Sequence, residues 1–428
     1  MPEDKEHINQ LVDHLYRHEA GKLIAVLTRV FGPANIELAE DVVQDSLIEA
    51  IKDWPYKGLP SDPSAWLYKV AKNKALNILH KEKYKRRYAA EARYQQQNGW
   101  NNASSTDLLF SEHNVQDDQL RMIFTSCHPS LSKDSQVALT LKTLCGFSIP
   151  EIAHAFFTTE DTINKRLVRA RQKIREAKIP FEVPSPTEME ERLEAVLETV
   201  YLVFNEGYSA SSGDEIIRYE LCEEAIRLAE MIAVHPAIQN KSNVYALLAL
   251  MLLNASRFNS RTNEEGNICT LAEQNRSQWN SLLIQKGFAY LDRSSEEQVV
   301  STYHLMAAIS ACHCAAPDFE STDWKSILNL YDHLLMLDHS SVVKLNRSIP
   351  LAKVEGVQKA IQELEQLKKD ASFTSYHLLY ATEGEFYFEL KEYSKAAEAF
   401  RKAIEYSPLQ AEKQLLQKKL ERSLKKIL

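Results

Sequence analysis

The chain has 428 residues, too many for a single hydrophobic core, and its 44% hydrophobic and 26% charged residues are ordinary for a soluble globular protein. Only 11 glycines occur where average usage would give roughly 30, and strand-rich runs of Val, Ile and Thr are absent, so we expect an all-α protein of two to four domains. Its apolar stretches are far shorter than the ~20 residues of a membrane span, and the polar N-terminus excludes a signal peptide.

The net charge of −8 is unevenly distributed along the chain. Residues 1–180 carry 25 basic and 23 acidic side chains, whereas residues 181–428 carry 26 basic and 36 acidic ones. Within the first part, residues 61–93 hold 9 basic against 3 acidic side chains. This asymmetry favours nucleic acid as the partner of the basic segment and protein as the partner of the acidic half. Six cysteines without a CxxC pair indicate reduced thiols in a cytoplasmic protein.

The first predicted domain covers residues 7–93. Helical spacing of its apolar residues predicts helices, which a proline-containing loop at residues 55–63 interrupts. Residues 64–85 then predict one long helix with lysines on its outer face. Amides beside lysines suit single-stranded DNA, whose splayed bases are hydrogen-bonded and stacked. We expect DNA contacts at Trp66, Lys69, Lys72, Asn73, Lys74 and Asn77. An ordinary solvated lysine face is the alternative.

Residues 94–115 are rich in Gln, Asn and Ser and predict a flexible linker. A second domain, residues 116–180, follows and holds the most specific local pattern. Gly146 ends one short helix, Ser148 and Glu151 match a capping box that opens a second, and a third helix spans residues 159–175.

The third helix of this domain carries six basic residues and no acid after Thr162, which is typical of the DNA-reading helix of a helix-turn-helix. A solvated basic helix on a bundle surface is the alternative. The predicted DNA contacts are Thr159, Thr162, Asn164, Lys165, Arg166, Val168, Arg169 and Arg171. Among them, Arg166 and Arg171 are expected to hold phosphates or acidic neighbours. Asparagine can make bidentate contacts to adenine, so Asn164 is expected to influence the base preference.

Residues 188–428 follow a proline-rich break and predict amphipathic helices in pairs. Six positions reproduce the order of one tetratricopeptide unit: Gly384, Tyr387, Ala396, Phe400, Ala403 and Pro408. An ordinary helical hairpin is the alternative. The acidic charge predicts either a protein partner or an intramolecular contact with the DNA-binding domains. Candidates for a working surface are Gly207, Tyr208, Asn275, Arg276 and Trp279.

These patterns together resemble the bacterial extracytoplasmic-function sigma factors. Residues 38–87 resemble their second conserved region, and residues 117–178 resemble their fourth. Residues 201–211 and 271–287, with the closing repeat, resemble the C-terminal extension of a tetratricopeptide-bearing subgroup. The fold that this implies is all-α, with two small helical sigma domains before a helical-repeat domain.

The resemblance implies binding partners and roles. Core RNA polymerase would be bound through its β′ clamp helices and β flap. The clamp helices would meet Glu40, Asp41, Gln44 and Asp45. Asn73 and the loop at residues 55–64 would capture a flipped base of the melted minus-ten element, and the helix from Thr159 would read the minus-thirty-five duplex. Polymerase supplies all bond chemistry, so the chain is expected to have no catalytic residue, cofactor or metal.

The predicted function is that of an alternative sigma factor in the cytoplasm, associated with the nucleoid and not with membrane, and modulated by its C-terminal domain. The alternative is a helix-turn-helix regulator with a tetratricopeptide-like adaptor that acts without replacing sigma. An enzyme is disfavoured, because the adjacent Cys312, His313 and Cys314 fit no zinc-ligand spacing.

Overall fold

The computed structural model describes residues 2–90, 112–156, 158–209, 217–263, 265–296, 300–370 and 373–427. Over these residues the chain forms 18 α-helices, and the β-structure is a single bridge between Thr262 and Ile268. The all-α prediction is therefore confirmed. Most of the predicted linker lies outside the described residues, and so does Phe157, between the second and third helices of the predicted helix-turn-helix. In the described part, no helix combines the length and the apolar character that crossing a bilayer requires.

The chain divides into two compact units, Met1–Leu202 and Val203–Leu428. The helices of the first unit are α1 Pro2–Phe31, α2 Ile36–Lys57, α3 Pro63–Ala90, α4 Glu112–Ser126, α5 Lys133–Thr143, α6 Ile149–Ala155, α7 Glu160–Glu176 and α8 Met189–Tyr208. A short 3₁₀ turn, Pro33–Asn35, separates α1 from α2. The last six residues of α8 belong to the second unit.

Helix α1 lies at the centre of the first unit. Leu23, Ala25, Val26 and Leu27 are all fully buried, although consecutive residues of a helix point to different sides. A helix that is apolar all round must be covered on every side. The cover comes from α2 and α3 and from α4 and α5, which all contact α1. Both predicted domains of the N-terminal half therefore share one core element.

The helices of the predicted helix-turn-helix begin and end at the predicted signals. Gly146 has φ +65°, the left-handed conformation that ends a helix. Ser148 and Glu151 form a reciprocal capping box at the start of α6, with Ser148 N–H donating to Glu151 Oε2 at 2.7 Å. Thr159 caps α7 by accepting the Thr162 N–H at 3.2 Å. These local hydrogen bonds fix the direction in which α7 leaves the turn.

The second unit contains helices that contact their neighbours along the chain. They are α9 Tyr219–Val234, α10 Ser242–Ala255, α11 Ser281–Ser294, α12 Thr302–Ala315, α13 Trp324–Leu337, α14 Ser341–Glu355, α15 Val357–Leu367, α16 His377–Glu389, α17 Tyr393–Tyr406 and α18 Gln410–Ile427. In the hairpin of α16 and α17, a Cβ added to Gly384 would lie 2.6 Å from the Phe400 ring. The helical character predicted for this part of the chain is confirmed, and the tetratricopeptide assignment stays a prediction.

Candidate nucleic-acid interface

Helix α7 presents one face to solvent and buries the other. Its buried stripe consists of Ile163, Leu167, Ala170 and Ile174. On the opposite side Asn164, Lys165, Val168 and Arg169 are exposed. Val168 is 55% exposed, so its methyl groups are available for an apolar contact such as a thymine methyl. The face predicted from the sequence is accessible, and its contacts with DNA stay a prediction.

The basic residues of α7 differ in their ion-pair partners. Lys165 Nζ lies 2.5 Å from Asp161 Oδ2, but both side chains are largely exposed, so this pair is weak and exchangeable. Arg166 pairs with Asp134 of α5 at 2.9 Å. Arg171 is 12% exposed and donates to Glu40 Oε2 of α2 at 2.6 Å. Arg166 and Arg171 therefore both pair with acidic neighbours, which the sequence had offered as the alternative to phosphate contacts. Arg169 has no such partner among the described residues.

A cavity of about 940 Å³ opens beside the start of α3. Its lining includes Asp62 and Ser64 of the predicted loop and Lys69, Lys72 and Asn73 of the predicted helix face. Asn73 and Lys69 are exposed, so an amide and a cation face the opening. The volume lies in the range of small-molecule pockets and is ample for one unstacked base. The structure thus brings together the loop and the amide that the sequence placed in one site.

The other α3 candidates lie in different surroundings. Trp66 is half-buried and meets the buried Trp54 edge-on, with 5.3 Å between ring centroids. Lys74 Nζ lies 2.8 Å from Glu49 Oε2 of α2. Asn77 is exposed one turn beyond Asn73. Trp66 therefore anchors the loop before α3, and Lys74 ties α3 to α2.

Helix α2 carries a solvent-facing stripe that changes character along its length. Asp41, Gln44 and Asp45 are exposed in its first half. One and two turns further on, Ile48 is 45% exposed and Ile51 is 43% exposed. The spacing of these five residues places them on one side of the helix. We call them the α2 stripe. Ile48 and Ile51 were not among the predicted contacts, although their spacing of three and six residues from Asp45 indicates the same helix face.

Glu40 does not lie on the α2 stripe. It is 5% exposed and points to Arg171. Burial raises the pKa of this carboxyl above its usual range, against the opposing effect of the Arg171 charge. Three of the four predicted polymerase contacts are therefore exposed. Glu40 is not accessible, because it is buried against Arg171, which lies 131 residues away in the sequence.

Two of the candidates in the second unit, Gly207 and Tyr208, lie at the end of α8. A Cβ on Gly207 would lie 2.7 Å from Cys222 Sγ, so only glycine allows this close approach. Tyr208 stacks on Phe204 with ring centroids 5.8 Å apart, and the Arg261 guanidinium lies 4.0 Å from its ring centroid. Both residues thus have packing roles.

The other three candidates lie around the 3₁₀ turn Arg276–Gln278. Asn275 caps this turn by accepting the Ser277 N–H at 3.1 Å. Arg276 donates to the backbone carbonyl of His313 at 2.7 Å and to that of Ala316 at 2.8 Å. Trp279 is 6% exposed. These contacts account for the three residues by their roles in the fold of the second unit.

A helix-turn-helix with an exposed basic face and a separate lysine-rich helix are the two parts expected of a DNA-binding protein of the sigma type. Residues 15–85 match the model of Sigma-70 region 2, and residues 121–174 match that of Sigma-70 region 4. We refer to these segments as region 2 and region 4. Residues 192–295 match a family of unknown function, DUF6596.

Curated relatives agree with these matches. The ECF RNA polymerase sigma-E factor of Salmonella typhimurium is 28% identical over 171 residues, covering 40% of this chain and 86% of the relative. That of Escherichia coli K12 is 27% identical with the same coverage. Uncharacterized protein R00370 of Rhizobium meliloti is 35% identical over 371 residues, 86% of each chain. No solved structure matches the chain. The chain belongs to the extracytoplasmic-function RNA polymerase sigma factors, as a member with a C-terminal extension.

Proposed function

We propose that this sigma factor docks on the β′ clamp helices of core RNA polymerase through the α2 stripe. The supporting observation is the chemistry of the stripe, in which Asp41 and Asp45 lead into the exposed Ile48 and Ile51. Charged groups steer association, and buried apolar groups supply most of the affinity of an interface. An acidic half joined to an apolar half on one helix face offers both.

Region 4 is proposed to read the minus-thirty-five duplex with the exposed face of α7 while it contacts the β flap. Asn164 is suited to bidentate hydrogen bonding with adenine, and Arg169 with guanine. Lys165 can exchange its weak bond with Asp161 for a backbone phosphate. Base preference would then depend mainly on Asn164 and Arg169.

The cavity beside α3 is proposed to receive a flipped base of the melted minus-ten element. Asn73 supplies an amide that can donate to and accept from a base edge, and Lys69 supplies a cation for the adjoining phosphate. A base leaves the stack at low cost only where the duplex is already melted, so this site acts after DNA opening.

The C-terminal extension is proposed to modulate these activities through α8. Arg192 of α8 donates to the Phe124 carbonyl of α4 at 2.7 Å. The Thr199 hydroxyl lies 3.1 Å from Gln136 Oε1 of α5, in the buried interior. Region 4 is thus held by a helix whose last residues belong to the second unit. A partner that binds the extension could act on region 4 through this helix.

The proposed docking is tested by titrating labelled chain with core polymerase. Ile48→Glu places a charge in the apolar half of the stripe and is expected to weaken binding at least tenfold. The matched control is Val234→Glu, an equally drastic change at a residue that is 73% exposed in the second unit. Equal affinities of Ile48→Glu and wild type would contradict the proposed docking face.

The proposed modulation is tested by removing residues 219–428, which leaves Arg192 and Thr199 and their partners in region 4 within the chain. Promoter activity per bound polymerase would be compared with that of the full chain. A rise indicates inhibition by the extension, and a loss indicates a positive role. Unchanged activity would refute modulation in either direction.

A further inference from the structure

Three arginines of the second unit lie close together on two neighbouring turns. Arg257 and Arg261 flank one 3₁₀ turn after α10, and Arg276 begins the next one. The guanidinium carbons of Arg257 and Arg276 lie 5.3 and 5.1 Å from the centroid of the Trp279 ring, so they are within about 10 Å of each other. Arg261 is close enough to Arg257 for the two charges to repel. All three arginines are half-buried, and we call them the arginine cluster.

In the described part of the chain, no carboxylate forms an ion pair with the arginine cluster. Every oxygen that accepts a hydrogen bond from its guanidinium groups there is neutral. The acceptors are Gln274 Oε1, the backbone carbonyls of Tyr208, His313 and Ala316, and the Thr322 hydroxyl. Asp318 and Glu320 act on Arg276 only from beyond ion-pair distance. Hydrogen bonds to neutral groups satisfy the donors, but the positive charges stay uncompensated.

Other buried arginines of the second unit have acidic partners. Arg218 lies 2.8 Å from Glu206, and Arg347 lies 2.6 Å from Asp332. Residues 181–428 hold 36 acidic against 26 basic side chains, so the composition offers enough acids for the arginine cluster as well. Like charges repel more strongly when they are partly removed from water. Burial, and next the charge of Arg257, accordingly lower the pKa of Arg276.

Three nitrogens of the same neighbourhood are buried and have no hydrogen-bond partner among the described residues. They are Arg276 Nε, Trp279 Nε1 and His313 Nδ1. Trp279 is 6% exposed, and its indole nitrogen can only donate. Burial, and next the charges of Arg257 and Arg276, lower the pKa of His313 to about 3, so its ring is neutral. Buried donors in folded proteins nearly always have an acceptor, so these nitrogens indicate a place for a further acceptor group.

A phosphate group fits this combination of charge and donors. It carries about two negative charges at neutral pH and offers three strongly accepting oxygens, whereas a single carboxylate carries one charge. The planar fork of arginine binds phosphate through two parallel hydrogen bonds. Arg257 is suited to this contact, because only its Nε has a partner in the described part of the chain. The terminal nitrogens of Arg276 instead hold the end of α12.

We propose that the arginine cluster binds the phosphate group of a small molecule, with Arg257 in direct contact and Arg261 and Arg276 contributing charge. All the residues involved belong to the second unit. Binding therefore requires neither polymerase nor DNA and does not depend on the proposed docking or promoter contacts. Occupancy of the site would be an input to the extension only if the proposed modulation also holds.

The test follows phosphate binding by the full chain without polymerase. The readouts are the NMR signals of the indole N–H groups of its five tryptophans and the Tm of the second unit by calorimetry. The probes are inorganic phosphate, glucose 6-phosphate and adenosine diphosphate, with chloride added to hold the ionic strength constant. We expect a saturable shift of the Trp279 signal, identified by its loss in Trp279→Phe, and a rise in Tm. The tightest probe distinguishes free phosphate from a phosphate ester, and no saturable shift with any probe would overturn the proposal.

Variants of Arg257 locate the binding site. Arg257→Gln removes one charge and the fork, so we expect phosphate affinity to fall roughly tenfold or more. Because no ion pair is lost, its Tm without ligand should stay within roughly 2 °C of the wild type. Arg257→Lys keeps the charge without the fork and should bind with intermediate affinity. The matched control is Arg401→Gln, at an exposed position of α17, which should bind as the wild type does.

The contradicting results are equally specific. Wild-type affinity in a folded Arg257→Gln variant would place any bound phosphate elsewhere and overturn the proposal. If that variant does not fold, undiminished affinity of Arg257→Lys would do the same. A single-stranded oligonucleotide is the last probe. Its binding, weakened by Arg257→Gln while the three small probes bind nowhere, would assign the arginine cluster to nucleic acid instead.

Discussion

Arg169 and Arg171 lie two residues apart on α7 and should respond to alanine substitution in opposite ways. Arg169 is exposed, whereas Arg171 is buried against Glu40. Arg169→Ala should therefore weaken DNA recognition and leave folding unchanged. Arg171→Ala should destabilise the first unit, because it leaves a buried carboxylate without its partner.

The expected magnitudes follow from these surroundings. Loss of one partner of a buried pair costs about 3–5 kcal/mol, so we expect roughly 3 kcal/mol for Arg171→Ala. For a unit of this size that lowers Tm by roughly 6–12 °C. Arg169→Ala should change stability by no more than about 0.5 kcal/mol. It should cost about 1–3 kcal/mol in DNA binding, concentrated at one base pair.

Two assays separate these effects. Calorimetry of the full chain gives Tm of the first unit for each variant. Binding of the reconstituted holoenzyme to promoters that differ at single minus-thirty-five positions gives the specificity. Equal Tm losses in both variants would refute the assignment of Arg171 to a buried pair. A uniform loss across all sequences in Arg169→Ala would move that side chain from a base to a phosphate.

Three further predictions concern other parts of the chain. Burial raises the pKa of Asp118 to about 6, so the stability that this group contributes is lost as pH rises from about 4 through 6. Asp118→Asn should therefore flatten the dependence of Tm on pH over that interval. An unchanged slope would assign the pH dependence to other groups. Gly384→Ala forces a methyl group against the Phe400 ring and should lower the free energy of unfolding of the second unit by about 1–3 kcal/mol. Adding Phe400→Leu to this variant should restore part of the lost stability, as measured by calorimetry. If the double variant restores none, the steric explanation is wrong. Asn73→Ala should slow promoter opening, which is monitored by permanganate reactivity, and should not weaken duplex binding by region 4. A loss of duplex binding instead would place Asn73 outside the minus-ten site.

The helix-turn-helix could be predicted from the sequence almost residue by residue because its signals are local. The hydrogen bonds between Ser148 and Glu151 and between Thr159 and Thr162 each join residues three positions apart. The positive φ of Gly146 also follows from residue type at a helix end. Patterns of this range need no knowledge of the rest of the fold.

The exposure of individual α2 residues could not be predicted in the same way. Glu40 lies among acids on an amphipathic helix, and its burial depends on Arg171, which is remote in sequence. Ile48 and Ile51 have the spacing of core residues, and only the arrangement of α1 and α3 around α2 leaves them in solvent. Packing between distant segments therefore decides which of several apolar or acidic faces is available.

Packing likewise changes the interpretation of the residues chosen in the extension. Arg276 and Trp279 belong to a distinctive sequence, but Arg276 donates to backbone carbonyls at the end of α12 and Trp279 is buried. A distinctive residue can serve the fold and not a binding surface, and its contacts distinguish the two roles.

The measurement that most directly tests the central claim is run-off transcription from native promoters with purified core polymerase, with and without the full chain. A sigma factor predicts specific initiation only when core and chain are both present, and reduced initiation with Ile48→Glu. No initiation from any native promoter, together with dimeric binding of the chain alone to palindromic duplex, would contradict the account and favour an ordinary helix-turn-helix regulator.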